Sequence, residues 1–398
     1  MSDQSMLPTY GASGLAGVLP AVVRSLGVAE QDGDRRDLLD LMPARRAVVV
    51  LIDGLGYELL RQRSGHAPFL RGLLPAAYRL SAGFPSTTAT SMGTFGTGLP
   101  PGSHGLVGYE VLVPGEDRLL NELSWDNGPD PRLWQPSQTV FERAVADGVT
   151  VTRIGPGFFD GSGLTTTALR GGGFTAARSL DSRVDSALAA VRASKRALVY
   201  VYWGELDKVG HVHGCQSWEW GDELELIDRA LARLVAGVPS DTSVHITADH
   251  GMVDAPHALR IDLAHDAELA AHVRHVGGEP RSLQLYCEPG ASDDVLATWR
   301  ERVNARAWVL SRDEAVEHGL FGAVSDHVLP RIGDVIVAMR DNFAIVDSRT
   351  ARPALLALLG LHGSLTCGEM AIPLLHAPPE DNVAVQRARR HRRVLGCG

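Results

Sequence analysis

The sequence predicts an α/β fold: a mostly parallel central sheet with helices on both faces, interrupted by a smaller inserted α+β cap. Two observations support this prediction. Short β-branched runs that are apolar on both faces alternate with helical patterns, which is typical of a parallel sheet covered by helices. The alternation stops after residue 254 and resumes near His362, so the intervening chain is expected to form a separate unit.

Five apolar runs predict the strands of the sheet. They cover residues 46–52, 149–154, 197–203, 243–248 and 370–375. Helical patterns at 138–148, 182–194 and 222–237 lie between them, and the first and last end in the glycine expected just past a helix. The glycine-rich run at 170–174 predicts a flexible loop.

The segment from 255 to 359 has a different pattern. Its predicted elements are a strand at 281–289, helices at 292–305 and 311–319, and a hairpin around Arg340, Asp341 and Asn342. We therefore predict a discontinuous core, residues 1–254 and 360–398, with an α+β cap inserted at 255–359.

Composition restricts the class of protein. Of 398 residues, 44% are hydrophobic and 21% are charged, the profile of a folded globular chain. A formal net charge of -9 argues against binding of a nucleic-acid polymer, and we interpret the basic run at 386–393 as a solvated helix end. No apolar stretch is long enough to span a membrane, and the first residues lack the pattern of a signal peptide. We therefore expect a cytoplasmic protein.

The four cysteines are scattered along the chain. They are Cys215, Cys287, Cys367 and Cys397, and none forms a C-x-x-C pair. Neither a disulfide framework nor a thiolate zinc site is indicated. The sequence does not indicate the oligomeric state.

Asp53 directly follows the first predicted strand, and Gly54 and Gly56 open the turn after it. In open α/β sheets, ligands bind at this carboxyl edge. Two interpretations of Asp53 are open at this point: it caps the next helix, or it binds a positively charged ligand.

Polar residues follow the later strands in the same way. Asp207 and His211 are four residues apart, so on a helix both side chains lie on one face and can share a metal ion, with Glu205 and His213 as close substitutes. Asp249 and His250 end another strand, and His362 lies between glycines. The six residues Asp53, Asp207, His211, Asp249, His250 and His362 form a mixed oxygen and nitrogen set suited to two zinc-type ions.

A cluster of hydroxyl residues precedes a glycine-rich run. Its members are Ser86, Thr87, Thr88, Thr90 and Ser91. Ser and Thr often cap helices, so the start of a helix is sufficient to explain this cluster taken alone.

The order of these motifs is more specific than any one of them. An Asp after the first strand is followed by P-[ST]-x-T, D-x-x-x-H-x-x-G, D-H-G-M and H-G. This order resembles the alkaline phosphatase superfamily, specifically its nucleotide pyrophosphatase/phosphodiesterase branch. The resemblance covers nearly the whole predicted core but not the cap.

The resemblance implies a two-metal hydrolase that cleaves phosphodiester or pyrophosphate bonds in nucleotide-type small molecules through a phospho-threonine intermediate. It makes Thr88 the nucleophile. It assigns one ion, expected to be zinc, to Asp207, His211 and His362, and a second to Asp53, Asp249 and His250, with Thr88 in contact with the second. A threonine hydroxyl is hardly ionised at neutral pH, so a cation is needed to stabilise its alkoxide.

The chain departs from the branch at one position. Where the branch has Asn three residues after the nucleophile, this chain has Ser91, which we expect to donate a hydrogen bond to a phosphoryl oxygen. Tyr109, Trp125 and Asn127 are candidates for contacts with the leaving group, and core packing is the competing interpretation.

Two other functions are weighed against this one. A phosphomonoesterase or phosphonate hydrolase of the same superfamily would use the same metal site. A catalytically silent phosphate-binding protein would have no need of a nucleophile, so the presence of Thr88 disfavours it.

Overall fold

The computed structural model describes residues 5–29 and 39–379. The basic run at 386–393 and Cys397 lie outside these residues. The strands of the described residues are β1 Arg46–Ile52, β2 Tyr78–Ser81, β3 Glu110–Leu112, β4 Leu119–Asn121, β5 Thr150–Gly155, β6 Gly173–Ala176, β7 Ala197–Trp203, β8 Thr242–Thr247, β9 Val253–Asp254, β10 Arg260–Asp262, β11 Val273–Glu279, β12 Ser282–Cys287, β13 Ala307–Ser311, β14 Val335–Met339, β15 Ala344–Val346, β16 Gly360–Leu361 and β17 Ala371–Ala377.

The α-helices range from one to more than five turns. In the described residues they are α1 Val18–Ser25, α2 Tyr57–Gln62, α3 Pro68–Leu73, α4 Thr88–Thr97, α5 Pro101–His104, α6 Pro131–Trp134, α7 Val140–Ala146, α8 Gly163–Ala168, α9 Leu180–Ala193, α10 Glu205–His213, α11 Trp218–Gly237, α12 Ala267–Ala270, α13 Ser292–Val303, α14 Arg312–Glu317, α15 Pro353–Leu356 and α16 Cys367–Met370. None of these helices has the length and apolar character that crossing a bilayer requires.

The central sheet has seven strands in the order β2-β17-β8-β1-β7-β5-β6. Neighbours from β8 to β6 run parallel, and β17 runs antiparallel to both β2 and β8. The sheet is therefore mixed but mostly parallel, and the predicted α/β fold class is confirmed.

The three middle strands are buried on both faces. Every residue of β8 and every residue of β1 after Arg46 is buried, so no face of the sheet is left to solvent. Helix α9 packs on β1, β5 and β7 and against α11, while α1, α4 and α7 pack against one another in a separate group. This two-sided cover explains why these strands have no alternating polar pattern in the sequence.

The predicted central strands agree closely with β1, β5, β7, β8 and β17. The edge strands were not predicted. The prediction of a flexible loop at 170–174 is wrong for its last two residues, because Gly173 begins edge strand β6, which pairs with β5. An edge strand pairs with a neighbouring strand on one side only, so its sequence does not need a continuous apolar run.

The chain between residues 254 and 360 leaves and rejoins the core at one point. Strand β9 pairs antiparallel with β16, with Val253 opposite Leu361. Between them lies a four-stranded sheet in the order β11-β12-β14-β13, which has its own buried cluster around Trp299 and Val337. The division into two domains at 254/255 and 359/360 stays a prediction.

The predicted hairpin around Arg340, Asp341 and Asn342 is wrong. The chain does turn there, but β14 pairs with β12 and β13, whereas β15 pairs with β10 in a separate two-stranded sheet. Both edges of β14 are already occupied, so the strand after the turn has no edge of β14 to join.

A buried ion pair joins the inserted segment to the core. Arg281, just before β12, donates from Nη2 to Glu369 Oε2 at 2.6 Å and from Nε to Oε1 at 3.0 Å, and neither side chain is exposed. Glu369 also accepts from Ser364 N and Thr366 Oγ1, so the pair is well satisfied.

We predict that Glu369→Ala lowers the free energy of unfolding by about 3–5 kcal/mol, because it leaves the Arg281 charge buried without its partner. Urea denaturation measures this loss. Arg229→Ala is the control, because Arg229 forms an exposed pair with Glu225 at 3.8 Å. Equal, small losses in both variants would show that the buried pair does not secure the insert.

Candidate metal centre

The sheet order brings the predicted ligands together. Strands β8, β1 and β7 are parallel neighbours, so their carboxyl ends meet at one edge of the sheet. Asp53 follows β1, Asp249 follows β8, and Asp207 lies in α10, which begins just after β7. His362 directly follows β16 and reaches the same edge from the end of the insert.

Two groups of side chains in the described residues are close enough to hold an ion. The first group consists of Asp53, Asp249 and His250, and the second of Asp207, His250 and His362. Within each group the ligand atoms lie within 4.8 Å of one another. His211 adjoins the second group, with Nε2 at 3.2 Å from Asp207 Oδ2. The six predicted ligands therefore form one continuous cluster, with His250 between its halves.

The three imidazoles share one arrangement, in which Nδ1 lies against a backbone carbonyl oxygen. The distances are 2.7 Å from His211 to Gly360, 2.9 Å from His250 to Gly251 and 3.0 Å from His362 to Ser86. A carbonyl oxygen can only accept, so Nδ1 carries the hydrogen in each ring. In the neutral ring, each Nε2 would then offer a lone pair to a metal ion.

The carboxylates also offer oxygens. Asp53 Oδ1, Asp207 Oδ1 and Asp249 Oδ2 are buried and have no hydrogen-bond partner within the described part of the chain. The second oxygens are held in place: Tyr202 donates its hydroxyl to Asp53 Oδ2, and Gly54 N donates to Asp249 Oδ1 at 3.1 Å. Buried polar atoms are normally satisfied, so three free oxygens beside three imidazole nitrogens fit divalent cations.

The electrostatics of the cluster favour bound cations. Burial and then the charges of Asp249 and Asp207 raise the pKa of Asp53 well above its ordinary value. Burial, with a further contribution from Asp207, raises the pKa of Asp249 to about 7. Burial acts on Asp207 in the same direction, but the charge and hydrogen bond of His211 outweigh it and lower the pKa of Asp207. A bound cation would reverse the upward shifts, because it stabilises the charged carboxylates.

Thr87 and Thr88 direct their hydroxyls to different groups. Thr88 Oγ1 lies 3.4 Å from Asp53 Oδ2 and 3.2 Å from His250 Nε2, inside the cluster. Thr87, the extended N-cap residue of α4, hydrogen-bonds instead with the side chain of Glu279. The structure therefore brings the hydroxyl of Thr88 to the ligands and turns that of Thr87 away from them.

The other predicted site residues lie in different surroundings. Ser91 is fully buried and donates to the Asp249 carbonyl at 2.9 Å, so its hydrogen is not free for a phosphoryl oxygen. Trp125 packs edge-on against Trp134 and donates to the Pro129 carbonyl, which agrees with the packing interpretation. Asn127 is exposed.

Tyr109 lies just before β3 and is partly buried. Burial raises the pKa of its hydroxyl, and the charges of Glu110 and Glu279 add to this shift. Its contact with a leaving group stays a prediction.

Sequence reasoning missed two residues. Tyr202 lies in the apolar strand β7, where a tyrosine looks like core, although it is the residue that holds Asp53. Glu279 lies in the insert, and its Oε2 is 3.5 Å from His362 Nδ1. No local signal marks Glu279, because only the tertiary fold brings it to the site.

The fold and the site together define an α/β protein of the alkaline phosphatase type. The chain belongs to the type I phosphodiesterase / nucleotide pyrophosphatase family, whose model matches residues 47–365. The family resemblance inferred from the motif order is thus confirmed.

Other proteins are similar to this chain in part of the sequence or in fold. The chain is 27% identical over 201 residues to an uncharacterized pyrophosphatase/phosphodiesterase of Schizosaccharomyces pombe; the match covers 48% of this chain and only 39% of that relative's length. Murine ectonucleotide pyrophosphatase/phosphodiesterase 5, solved as an inactive variant with AMP, is similar in fold, with a TM-score of 0.67 at 18% identity over 83% of this chain and 87% of that one. Phosphonoacetate hydrolase of Sinorhizobium meliloti, solved with phosphonoformate, has a TM-score of 0.65 at 19% identity over 86% and 91% of the two chains.

We predict that His250→Ala loses most of the divalent metal retained by the wild-type protein, because His250 contributes to both halves of the cluster. Elemental analysis after equilibration with zinc and dialysis measures the loss. His213→Ala is the matched control, since His213 is on α10 near His211 but is half-exposed and faces Glu219. Equal metal content in His250→Ala and wild type would remove His250 from the site.

Proposed function

We propose that the chain is a two-metal hydrolase that cleaves phosphodiester or pyrophosphate bonds in nucleotide-type small molecules. The position of the Thr88 hydroxyl within hydrogen-bond distance of Asp53 and His250 carries this proposal. Family membership supports the reaction class. The same family description favours this activity over the phosphomonoesterase and phosphonate hydrolase alternatives.

In this proposal, Asp207, His211 and His362 hold one ion, and Asp53, Asp249 and His250 hold the other. The three carboxylates and three neutral imidazoles favour zinc, which accepts both oxygen and nitrogen ligands. When bound, the ions supply Lewis-acid stabilisation of negative charge on the attacking and leaving oxygens.

The residues of the chain perform the remaining steps. Thr88 Oγ1 attacks phosphorus while the bond from phosphorus to the leaving-group oxygen breaks, and the hydroxyl proton passes to Asp53 Oδ2, which accepts its hydrogen bond. Thr88 is also the first residue of α4, whose leading N–H groups have no partners within the helix and face incoming phosphoryl oxygens. Water then hydrolyses the phospho-threonine by the reverse path.

An open cleft of about 610 Å³ offers space for an organic leaving group. Its lining includes Phe158, which is 73% exposed, the cationic side chains of Arg178 and Lys208, and the ion pair of Arg183 with Glu205. Phe159, the neighbour of Phe158, packs edge-on against Tyr202, the residue that holds Asp53. An aromatic face beside Arg178 and Lys208 suits a planar group that carries negative charge.

The proposed partners are small phosphate-containing molecules. The net charge of -9 disfavours a nucleic-acid polymer as substrate. A cytoplasmic location is part of the same proposal, and cell fractionation tests it.

We predict that Thr88→Val lowers kcat on the order of 10⁴-fold or more, because it removes the nucleophile. Thr87→Val is the matched control, and we expect a much smaller loss, since its hydroxyl faces Glu279. Initial rates at saturating substrate measure both effects. Exchanged phenotypes would place the nucleophile one residue earlier, and two active variants would contradict covalent catalysis.

A substrate panel tests the reaction class. We predict a higher kcat/KM for bis-p-nitrophenyl phosphate and nucleoside triphosphates than for p-nitrophenyl phosphate or phosphonoacetate, because the family and the cleft favour diesters and anhydrides with an organic leaving group. Release of p-nitrophenol, and of phosphate or pyrophosphate, measures the rates. Fastest turnover of the monoester or the phosphonate would contradict the proposal.

A further inference from the structure

The inserted segment contributes one acidic side chain to the site. Glu279 is the last residue of β11, at the tip of the β11–β12 hairpin, where it is paired with Ser282. Its side chain is only 10% exposed. A charged side chain at a hairpin tip usually points into water, so this burial needs a structural reason.

Glu279 contacts both segments that build the reacting part of the site. It hydrogen-bonds with the side chain of Thr87, and its Oε2 lies 3.5 Å from His362 Nδ1. It also lies against Gly363, where an added Cβ would come within 2.8 Å of the carboxyl carbon. Gly363 has a φ of 124°, so this position favours glycine for its backbone as well as for the space that the carboxyl group occupies.

The two segments also bond directly with each other at this point. His362 donates from Nδ1 to the Ser86 carbonyl, Ser86 N donates to the Gly363 carbonyl at 3.1 Å, and Ser86 Oγ donates to the Ser364 carbonyl at 2.7 Å. Glu279 lies on this junction. It therefore bridges the loop that leads to Thr88 and the loop that carries His362.

Glu279 lies beside the predicted ligands rather than among them. It approaches the Nδ1 edge of His362, whereas Nε2 of the same ring faces Asp207 Oδ1 at 3.9 Å. Glu279 is also not a member of either metal-binding group in the described residues. Its direct contact with a predicted ligand is therefore the one with His362.

The hairpin tip is anchored from both sides. Arg281 forms the buried pair with Glu369 of the core, and its carbonyl accepts from Met339 N at 2.9 Å. The Pro280 carbonyl accepts from Ile345 N at 2.9 Å. Glu279 lies next to these anchors, so docking of the insert fixes its carboxyl group against the junction.

We propose that Glu279 is a positioning residue through which the inserted segment controls the metal site. Its carboxyl group packs against the Nδ1 edge of the His362 imidazole, beside the Ser86 carbonyl that accepts the Nδ1 hydrogen, and against the Thr87 hydroxyl, so that Nε2 of His362 and Oγ1 of Thr88 converge. Groups held at the far nitrogen of a ligating histidine fix its orientation and raise its affinity for metal. This inference depends on the proposed function at one point, because it takes His362 to be a metal ligand.

The test measures zinc affinity by competition with a chromophoric chelator, together with kcat and KM on bis-p-nitrophenyl phosphate. Glu279→Ala should weaken binding of one zinc ion about 10–100-fold, with a fall in kcat and little change in KM. Glu279→Gln should recover most of the affinity, because it keeps the size of the side chain and an oxygen acceptor. Glu288→Ala is the control, since Glu288 is an exposed residue of the insert that pairs with His272, and it should match wild type.

Wild-type zinc affinity and kcat in a folded Glu279→Ala protein would overturn the inference. If urea denaturation shows that Glu279→Ala does not fold, Glu279→Asp is measured instead, because its shorter side chain withdraws the carboxyl group from His362. Wild-type zinc affinity in Glu279→Asp would also overturn the inference. A wild-type protein that binds no zinc would overturn the proposed function and this inference with it. Unchanged affinity in the variants alone would overturn only the inference.

Discussion

The structure depends on one electrostatic constraint: the buried Asp53 and Asp249 and the largely buried Asp207 meet at a single edge of the sheet. Such carboxylates repel one another and lose hydration, as the raised pKa values of Asp53 and Asp249 show. Positive charge among them removes that cost. The parallel order β8-β1-β7 imposes their proximity, because it places the ends of three strands side by side. The requirement for cations therefore follows from the topology of the sheet.

Backbone geometry converts this requirement into a defined site. Carbonyl groups of Gly251, Gly360 and Ser86 hold the Nδ1 side of the three imidazoles and so direct each Nε2 into the cluster. Two of these contacts join segments far apart in the chain, since His362 reaches Ser86 and His211 reaches Gly360. The site therefore combines segments that the pairing of β9 with β16 brings back to the core.

The sequence predicted the features that local patterns encode. Buried strands β1, β5, β7, β8 and β17 appear as β-branched runs, and the order of motifs along the chain predicted which family the chain belongs to. Features set by tertiary contacts were missed or wrong. Edge strand β6 lacks an apolar run, and the strand after Arg340 pairs with β10 because β14 has no free edge. Ser91 is a hydroxyl residue near the site, but only the fold shows that it bonds to the Asp249 carbonyl, and Glu279 is visible only once the insert is docked.

The central claim is that this cluster holds two cations beside the Thr88 hydroxyl. A crystal structure of the zinc-loaded protein, with anomalous diffraction collected on both sides of the zinc edge, tests it most directly. The account predicts two anomalous peaks, one bounded by Asp53, Asp249 and His250 and the other by Asp207, His211 and His362, with Thr88 Oγ1 next to the first. A single peak, or a peak outside these residues, would contradict it.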